Sequence, residues 1–294
     1  MNRIIVTATV ALGFMASMPA SAEVSWSFSS SSCSNGVGNS LYGSCSSTGS
    51  PSSAPDVTAR AYSNTGGNSW TGTDSANGAT NPSRSNLQTI EQAYVGVYSS
   101  NPGELGVTNY DATSRSGQII DTSEGSNPEH SLDNNQRYDS LLFSFTSAIQ
   151  LTAVQMGWWS GDSDITLLAY TGALNQDGSI PSSKLIGLTY SSLLTNGWVL
   201  VNSYSNVQSN KTVVNAGGIS SQHWLLGAYN PLGGSAAYSQ GDDNVKVKYL
   251  FGEYSTSSSS SSSSSGGTVP EPGSLLLVSL SVAALAGLRK RRQV

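Results

Sequence analysis

Charge, histidine and cysteine are all scarce in this chain, and each shortage closes a class of function. Asp, Glu, Lys and Arg make up only 11% of its 294 residues. From Glu23 to Gly267 there are eight Lys plus Arg against 17 Asp plus Glu, a net charge of −9. That balance repels phosphate backbones and anionic membranes, so nucleic acid is set aside as a partner, while solubility and divalent cations remain compatible with it. The only histidines are His130 and His223, and no Gly-x-Ser-x-Gly elbow accompanies them, which argues against a Ser-His-Asp hydrolase. The two cysteines have neither the close CxxC spacing nor a nearby His that a metal or redox centre would show.

Long apolar runs are missing from the body of the chain and occur only near its ends. Arg3, the run Ile4–Met18 and the small-x-small site Ala20-Ser21-Ala22 read as a signal peptide over residues 1–22, with export by a Sec-type route. In an exported chain Cys33 and Cys45, twelve positions apart, are expected to form one disulfide worth about 3 kcal/mol. At the other end stand Val269-Pro270-Glu271-Pro272, an apolar run Leu275–Leu288, and Arg289-Lys290-Arg291-Arg292. A bilayer core needs roughly 20 helical residues, so this run, extended by Val269, Gly273 and Ser274, is a marginal span. The terminal cations would stay on the cytoplasmic side. Pro270 and Pro272 hold the segment before the helix extended, as a protease cleft requires.

This three-part tail resembles the PEP-CTERM sorting signal of bacteria that carry exosortases. The resemblance implies processing near Pro-Glu-Pro by an exosortase, a membrane-embedded cysteine transpeptidase. It also implies transient tethering to the inner membrane and delivery to the cell surface or exterior, in a biofilm or exopolysaccharide setting. The exosortase is thus the implied partner, with exopolysaccharide a further one.

The expected organisation is a signal peptide (1–22), a β-rich surface domain (23–254), a Ser-rich linker (255–268) and the sorting signal (269–294). Nine serines, Ser257–Ser265, cannot bury apolar area and are expected to form a disordered spacer, open to O-glycosylation. Between Glu23 and Tyr254 the segments 93–98, 140–145, 149–158, 164–170, 198–204, 223–229 and 245–251 read as short strands, with an early one at Val24–Phe28. Gly, Asn, Pro and Ser separate them. In the last, Val245, Val247 and Tyr249 alternate with Lys246, Lys248 and Leu250. Residues 84–93 and 182–195 could form modest helices, and 44–86 reads as an ordered but strand-poor excursion. The predicted fold is mainly β, an antiparallel β-sandwich of jelly-roll type, with an irregular N-terminal region and a C-terminal hydrophobic helix.

The densest polar constellation lies mid-chain. Glu129-His130-Ser131-Leu132-Asp133-Asn134-Asn135 leads through Arg137-Tyr138-Asp139 to Met156-Gly157-Trp158-Trp159-Ser160-Gly161-Asp162-Ser163-Asp164. With Glu104-Leu105-Gly106 upstream and Tyr170-Thr171-Gly172 downstream, residues 90–254 resemble the exosortase-dependent surface protein family, to which no catalytic role attaches. Asp133, Asp139, Asp162 and Asp164, with Asn134 and Asn135, are read two ways. They are hard oxygen ligands suited to Ca²⁺, or they are turn residues, and their spacing matches no EF-hand. Glu104 and Glu129, partnered by Asp162 or Asp164, are glycosidase candidates, but nothing else singles them out and 17 acids supply such pairs by chance. Trp158 and Trp159 are adjacent, so on a strand one ring faces in and the other out, where it could stack on a sugar, and Trp198 and Trp224 are read in the same way; the favoured alternative is that all four are core or sheet-covering residues. His130 is expected to be a turn-side hydrogen-bonding residue.

Overall fold

The computed structural model describes residues 23–37, 40–66, 89–98, 102–109, 130–135 and 137–255. The signal peptide, Trp70, Glu129, the serine run and the sorting tail lie outside the described residues. In chain order the strands are β1 (Glu23–Ser27), β2 (Cys33–Ser34), β3 (Leu41–Tyr42), β4 (Ser44–Ser47), β5 (Val57–Gly66), β6 (Thr89–Tyr98) and β7 (Glu104–Thr108). After them come β8 (Leu132–Asp133), β9 (Asp139–Gly161), β10 (Ile165–Tyr170), β11 (Trp198–Tyr204), β12 (Thr212–Val213), β13 (Ser221–Ala228) and β14 (Asp243–Glu253). The pairings between them are antiparallel.

The organising element is β9, 23 residues long. Its first part, Asp139–Phe145, pairs with β5 on one side and β13 on the other, and its second part, Gln150–Gly161, pairs with β14. Strand β14 reaches β7, β7 pairs with β6, and β6 with β5, so β5, β6, β7, β14 and β9 close into a five-strand barrel. This ring stands where two facing jelly-roll sheets were expected. Part of the difference lies in β9: 140–145 and 149–158 were read as two strands, but Thr146-Ser147-Ala148 between them contains no Gly or Pro, and the two form one strand.

Alternation fills the barrel. Val57, Ala59 and Ala61 of β5, Leu105 and Val107 of β7, Leu141 and Phe143 of β9, and Val245 and Val247 of β14 are at most 1% exposed and belong to one cluster. Each fully buried Val, Leu or Phe contributes about 1.5–3 kcal/mol. Along β14 the expected parity breaks, because a register shift between Val247 and Tyr249 turns Leu250 into the core and Tyr249 partly out. At the N-terminal end Trp26 donates from Nε1 to the Pro55 carbonyl at 2.7 Å, and the Cys33–Cys45 disulfide links β2 to β4.

From β9 the sheet branches through β13 and β10 to β11. All six residues of β10 are buried, because the segment 171–197 lays a second apolar layer over its outer face. A strand covered on both faces reads as a near-continuous apolar run, as Ile165–Tyr170 does apart from Thr166, whose hydroxyl donates to the Asn230 carbonyl. Leu185, Tyr190 and Leu193 of that covering segment pack in one cluster with Leu168 of β10, Trp198 of β11 and Leu225 of β13. The expected helix over 182–195 appears as two 3-10 turns, Ser182–Lys184 and Ser191–Thr195. The helix expected over 84–93 is overturned at 89–93, which begins β6. Over 44–66 the strand-poor expectation for 44–86 is overturned by β4 and β5, whose buried residues include the small Ala59 and Ala61, which give little β signal. Among the described residues no helix is long and apolar enough to cross a membrane.

Candidate functional site

Where β9 ends, two chain segments meet in a way that gathers carboxylates. Gly161 takes φ +72°, and a Cβ there would run into the Asp242 carbonyl oxygen, so only glycine fits the turn. The chain then places Asp162 and Asp164 beside Asp243, the first residue of β14, to which Asp162 is bridged. One carboxylate oxygen from each of the three lies within 4.8 Å of the others. Asp164 and Asp243 are 3% and 0% exposed, while Asp162 is half-buried and opens the group to solvent.

Hydrogen bonds hold this geometry. Asp243 Oδ1 accepts from the Asp164 amide at 2.7 Å and its Oδ2 from Asn134 Nδ2. Asn134 is itself saturated: Nδ2 also donates to the Tyr229 carbonyl at 3.0 Å, and Oδ1 accepts from the amides of Gly241 at 2.8 Å and Asp243 at 3.1 Å. Asp164 Oδ1 accepts from the Asn206 amide at 2.8 Å, which leaves its other oxygen uncommitted. Burial pushes the Asp243 carboxyl up to about 8, against the opposing bond from Asp164, and the charges of Asp164, Asp162 and Asp242 add to the rise. The Asp164 carboxyl is raised in the same way, by burial first. At neutral pH the group therefore needs a proton or a hard cation.

Of the four aspartates read as calcium ligands, the structure brings Asp162 and Asp164 together and adds Asp243, which the sequence reading missed. Asp133 and Asp139 lie outside this group. Asp133 Oδ1 accepts from the Asn135 amide at 2.9 Å, the turn-forming contact of its alternative reading. Asp139 opens β9, 1% exposed, opposite Ser63. Asp243 was legible only as one more acid beside a strand; its burial comes from the pairing of β14 with β9.

The adjacent tryptophans divide as a strand requires. Trp159 packs against the barrel core, and Trp158 stands outside that cluster with Lys246 Nζ 4.5 Å from its ring centroid. The same ammonium lies 4.5 Å from the ring of Tyr98, on which His130 stacks at 5.3 Å and 17°. His130 Nδ1 is 3.0 Å from Thr108 Oγ1, and burial, then the Lys246 charge, lowers its pKa. The Glu104 side chain lies over Gly157, so a side chain at 157 would have to displace it. Trp198 and Trp224 are core residues, 2% and 0% exposed.

A second polar region occupies the outer face of β5, β9 and β13. A cleft of about 520 Å³ opens there, walled by 177–186 and lined by Arg60, Ser144, Gln222 and His223 together with Phe145 and Ile186. His223 Nε2 lies 2.8 Å from the Gly178 carbonyl, which can only accept, so Nε2 carries the proton and Nδ1 accepts from Ser144 Oγ at 3.0 Å. Burial lowers the His223 pKa, against the raising effect of that carbonyl, and keeps the ring neutral. The sequence reading did not single out these residues, because cross-strand register, not spacing, brings them together.

Comparison with known proteins adds one finding. The PEP-CTERM protein-sorting motif matches residues 268–292. Such motifs mark exported proteins that are membrane-anchored before processing by an exosortase and then released to the surface. No curated protein and no solved structure matches the chain.

Proposed function

We propose that this chain is an exported envelope protein, cut by an exosortase at its C-terminal signal, whose β-barrel domain has a structural or binding role in the cell envelope or exopolysaccharide and no catalytic one. The observation that carries the reading is the sorting motif at residues 268–292. In it Val269, Pro270, Glu271 and Pro272 are the recognised element, Leu275–Leu288 holds the precursor in the inner membrane, and Arg289, Lys290, Arg291 and Arg292 orient it. The nine serines before the tail have a composition suited to a linker between a folded domain and a processing signal. The domain's polarity supports a surface role, since hydroxyls and amides outnumber charges.

The carboxylate group fits a hard cation such as Ca²⁺ through Asp162, Asp164 and Asp243, which would then act as a structural clamp between β9 and β14. The test of the main reading is intact mass and localisation in cells with and without the exosortase. A chain shortened in the wild type and full-length in the null supports it; a tail retained in both overturns it.

A further inference from the structure

We propose that the cleft beside His223 and the hollow next to it form one binding site for a segment of uncharged polysaccharide. This deepens the binding role proposed above and rests on it. The hollow measures about 550 Å³ and is lined almost wholly by hydroxyl side chains, among them Ser29, Ser46, Thr48 and Thr58. Both depressions reach Thr146, so they adjoin on the same face of the sheet.

Register supplies the floor. Ser46 pairs with Thr58, Thr58 with Ser144, and Ser144 with His223, which makes one row across β4, β5, β9 and β13. Directly paired residues share a face, so four polar side chains stand in line across the strands. Ser46 Oγ lies 3.3 Å from Thr58 Oγ1, and Ser144 Oγ 3.0 Å from His223 Nδ1. Three interstrand steps make the row about 14 Å long, enough for several units of a linear polymer.

The lining selects the chemistry. Each Ser or Thr hydroxyl can donate and accept, and Gln222 offers both functions, which matches a polyol whose hydroxyls do the same. The charged lining residues are Arg60 and Asp177 in the cleft and Asp56 in the hollow, one cation against two anions. Uronate, phosphate and nucleic-acid polymers would therefore meet a small excess of like charge. Ile186, 44% exposed at the cleft, gives the apolar C–H face of a sugar ring something to rest on. With His223 uncharged the row itself carries no charge, and Arg60 beside it is outnumbered by the two aspartates.

The test is affinity electrophoresis of the full chain through native gels containing amylose, hydroxyethylcellulose or galactomannan, with alginate as the charged counterpart. Retardation is expected in at least one neutral gel and not in alginate. Thr58→Arg, in the middle of the row, should weaken that retardation at least tenfold, whereas Val213→Arg, at a position 71% exposed, should leave it unchanged. Ser46→Arg, at an exposed position, repeats the test should Thr58→Arg fail to fold. Free mobility in every neutral gel, retardation by alginate alone, or retardation that both row variants leave intact overturns the proposal. Loss of retardation with Trp158→Ala but not with the row variants also overturns it. Failure here would leave the mass difference between wild-type and exosortase-null cells unaffected, so the two readings fail separately.

Discussion

Strand β9 carries polar chemistry at both ends, by opposite means. Beyond its C-terminal end Asp162 and Asp164 join Asp243 in a largely buried carboxylate group held by hydrogen bonds from Asn134 and the backbone. On its N-terminal half Ser144 faces a neutral imidazole and a row of hydroxyls in an open cleft. The difference shows where the fold is committed. Buried charge survives only while every partner is in place, whereas neutral hydroxyls at a surface can exchange partners with water or a ligand. The carboxylate end should therefore govern stability and the cleft should tolerate change.

The sharpest way to break this contrast is Asn134→Leu. It would orphan the amides of Gly241 and Asp243 and the Tyr229 carbonyl, and strip one donor from the Asp243 carboxylate. The expected loss is about 3–5 kcal/mol, as for breaking a buried charged network. Gln222→Ala in the cleft, whose side-chain bonds to the carbonyls of Phe145 and Thr146 are 3.4 Å long, should cost no more than about 0.5 kcal/mol. Urea unfolding reads both; equal midpoints would dissolve the distinction.

Acidity gives the next largest effect, with opposite signs in the two regions. The folded-state pKa of Asp243, about 8, lies above its ordinary value of 3.8, so between those limits the folded state holds a proton that the unfolded chain has lost. In chelator, stability should fall as pH rises through that window, by at most about 1.4 kcal/mol per unit. Asp243→Asn should flatten the fall, and millimolar Ca²⁺ should reverse it in the parent but not in the variant. His223 works the other way: its lowered pKa means that stability is lost as pH drops below 6.5 and the unfolded chain takes up the proton. Melting temperatures from pH 4.5 to 9 check both. A calcium-independent profile would leave the proton, not a cation, as the group's occupant.

Much of this architecture could be read from the residues, and the failures share one cause. The strand Trp198–Tyr204 falls where its β-branched and aromatic residues put it, and the bond between Cys33 and Cys45 follows from export. What spacing does not carry is pairing. The continuity of β9 through Thr146–Ala148, the small-residue strand β5 and the register shift that buries Leu250 depend on partners far along the chain. The same holds for the sites. Asp162 and Asp164 were visible because they stand two apart in one short run of Ser, Gly and Asp, while Asp243, about 80 positions later, joins them only through the β9–β14 ladder. The Ser46–Thr58–Ser144–His223 row is wholly a product of register, and no local pattern announces it.

A further, modest effect probes the border between the two regimes. Lys246, three residues beyond Asp243, is neither sealed in like the carboxylates nor open like the cleft; it lies half-buried between the rings of Tyr98 and Trp158. Such contacts contribute about 0.5–1 kcal/mol each at partly exposed sites. Lys246→Ala should therefore lower stability by roughly 1 kcal/mol, and Lys246→Arg, which keeps the charge over the rings, should restore most of it. The substitution has a second readout that lost packing alone would not produce. Because the Lys246 charge depresses the His130 pKa, its removal should move that pKa up towards 6.5, and the arginine variant should hold it down. An NMR titration of the two histidines separates the outcomes, since His223, which does not feel Lys246, should titrate identically in all three proteins. A shift at both histidines would mean that the barrel had loosened as a whole, and that the stacked lysine belongs with the buried network rather than with the surface.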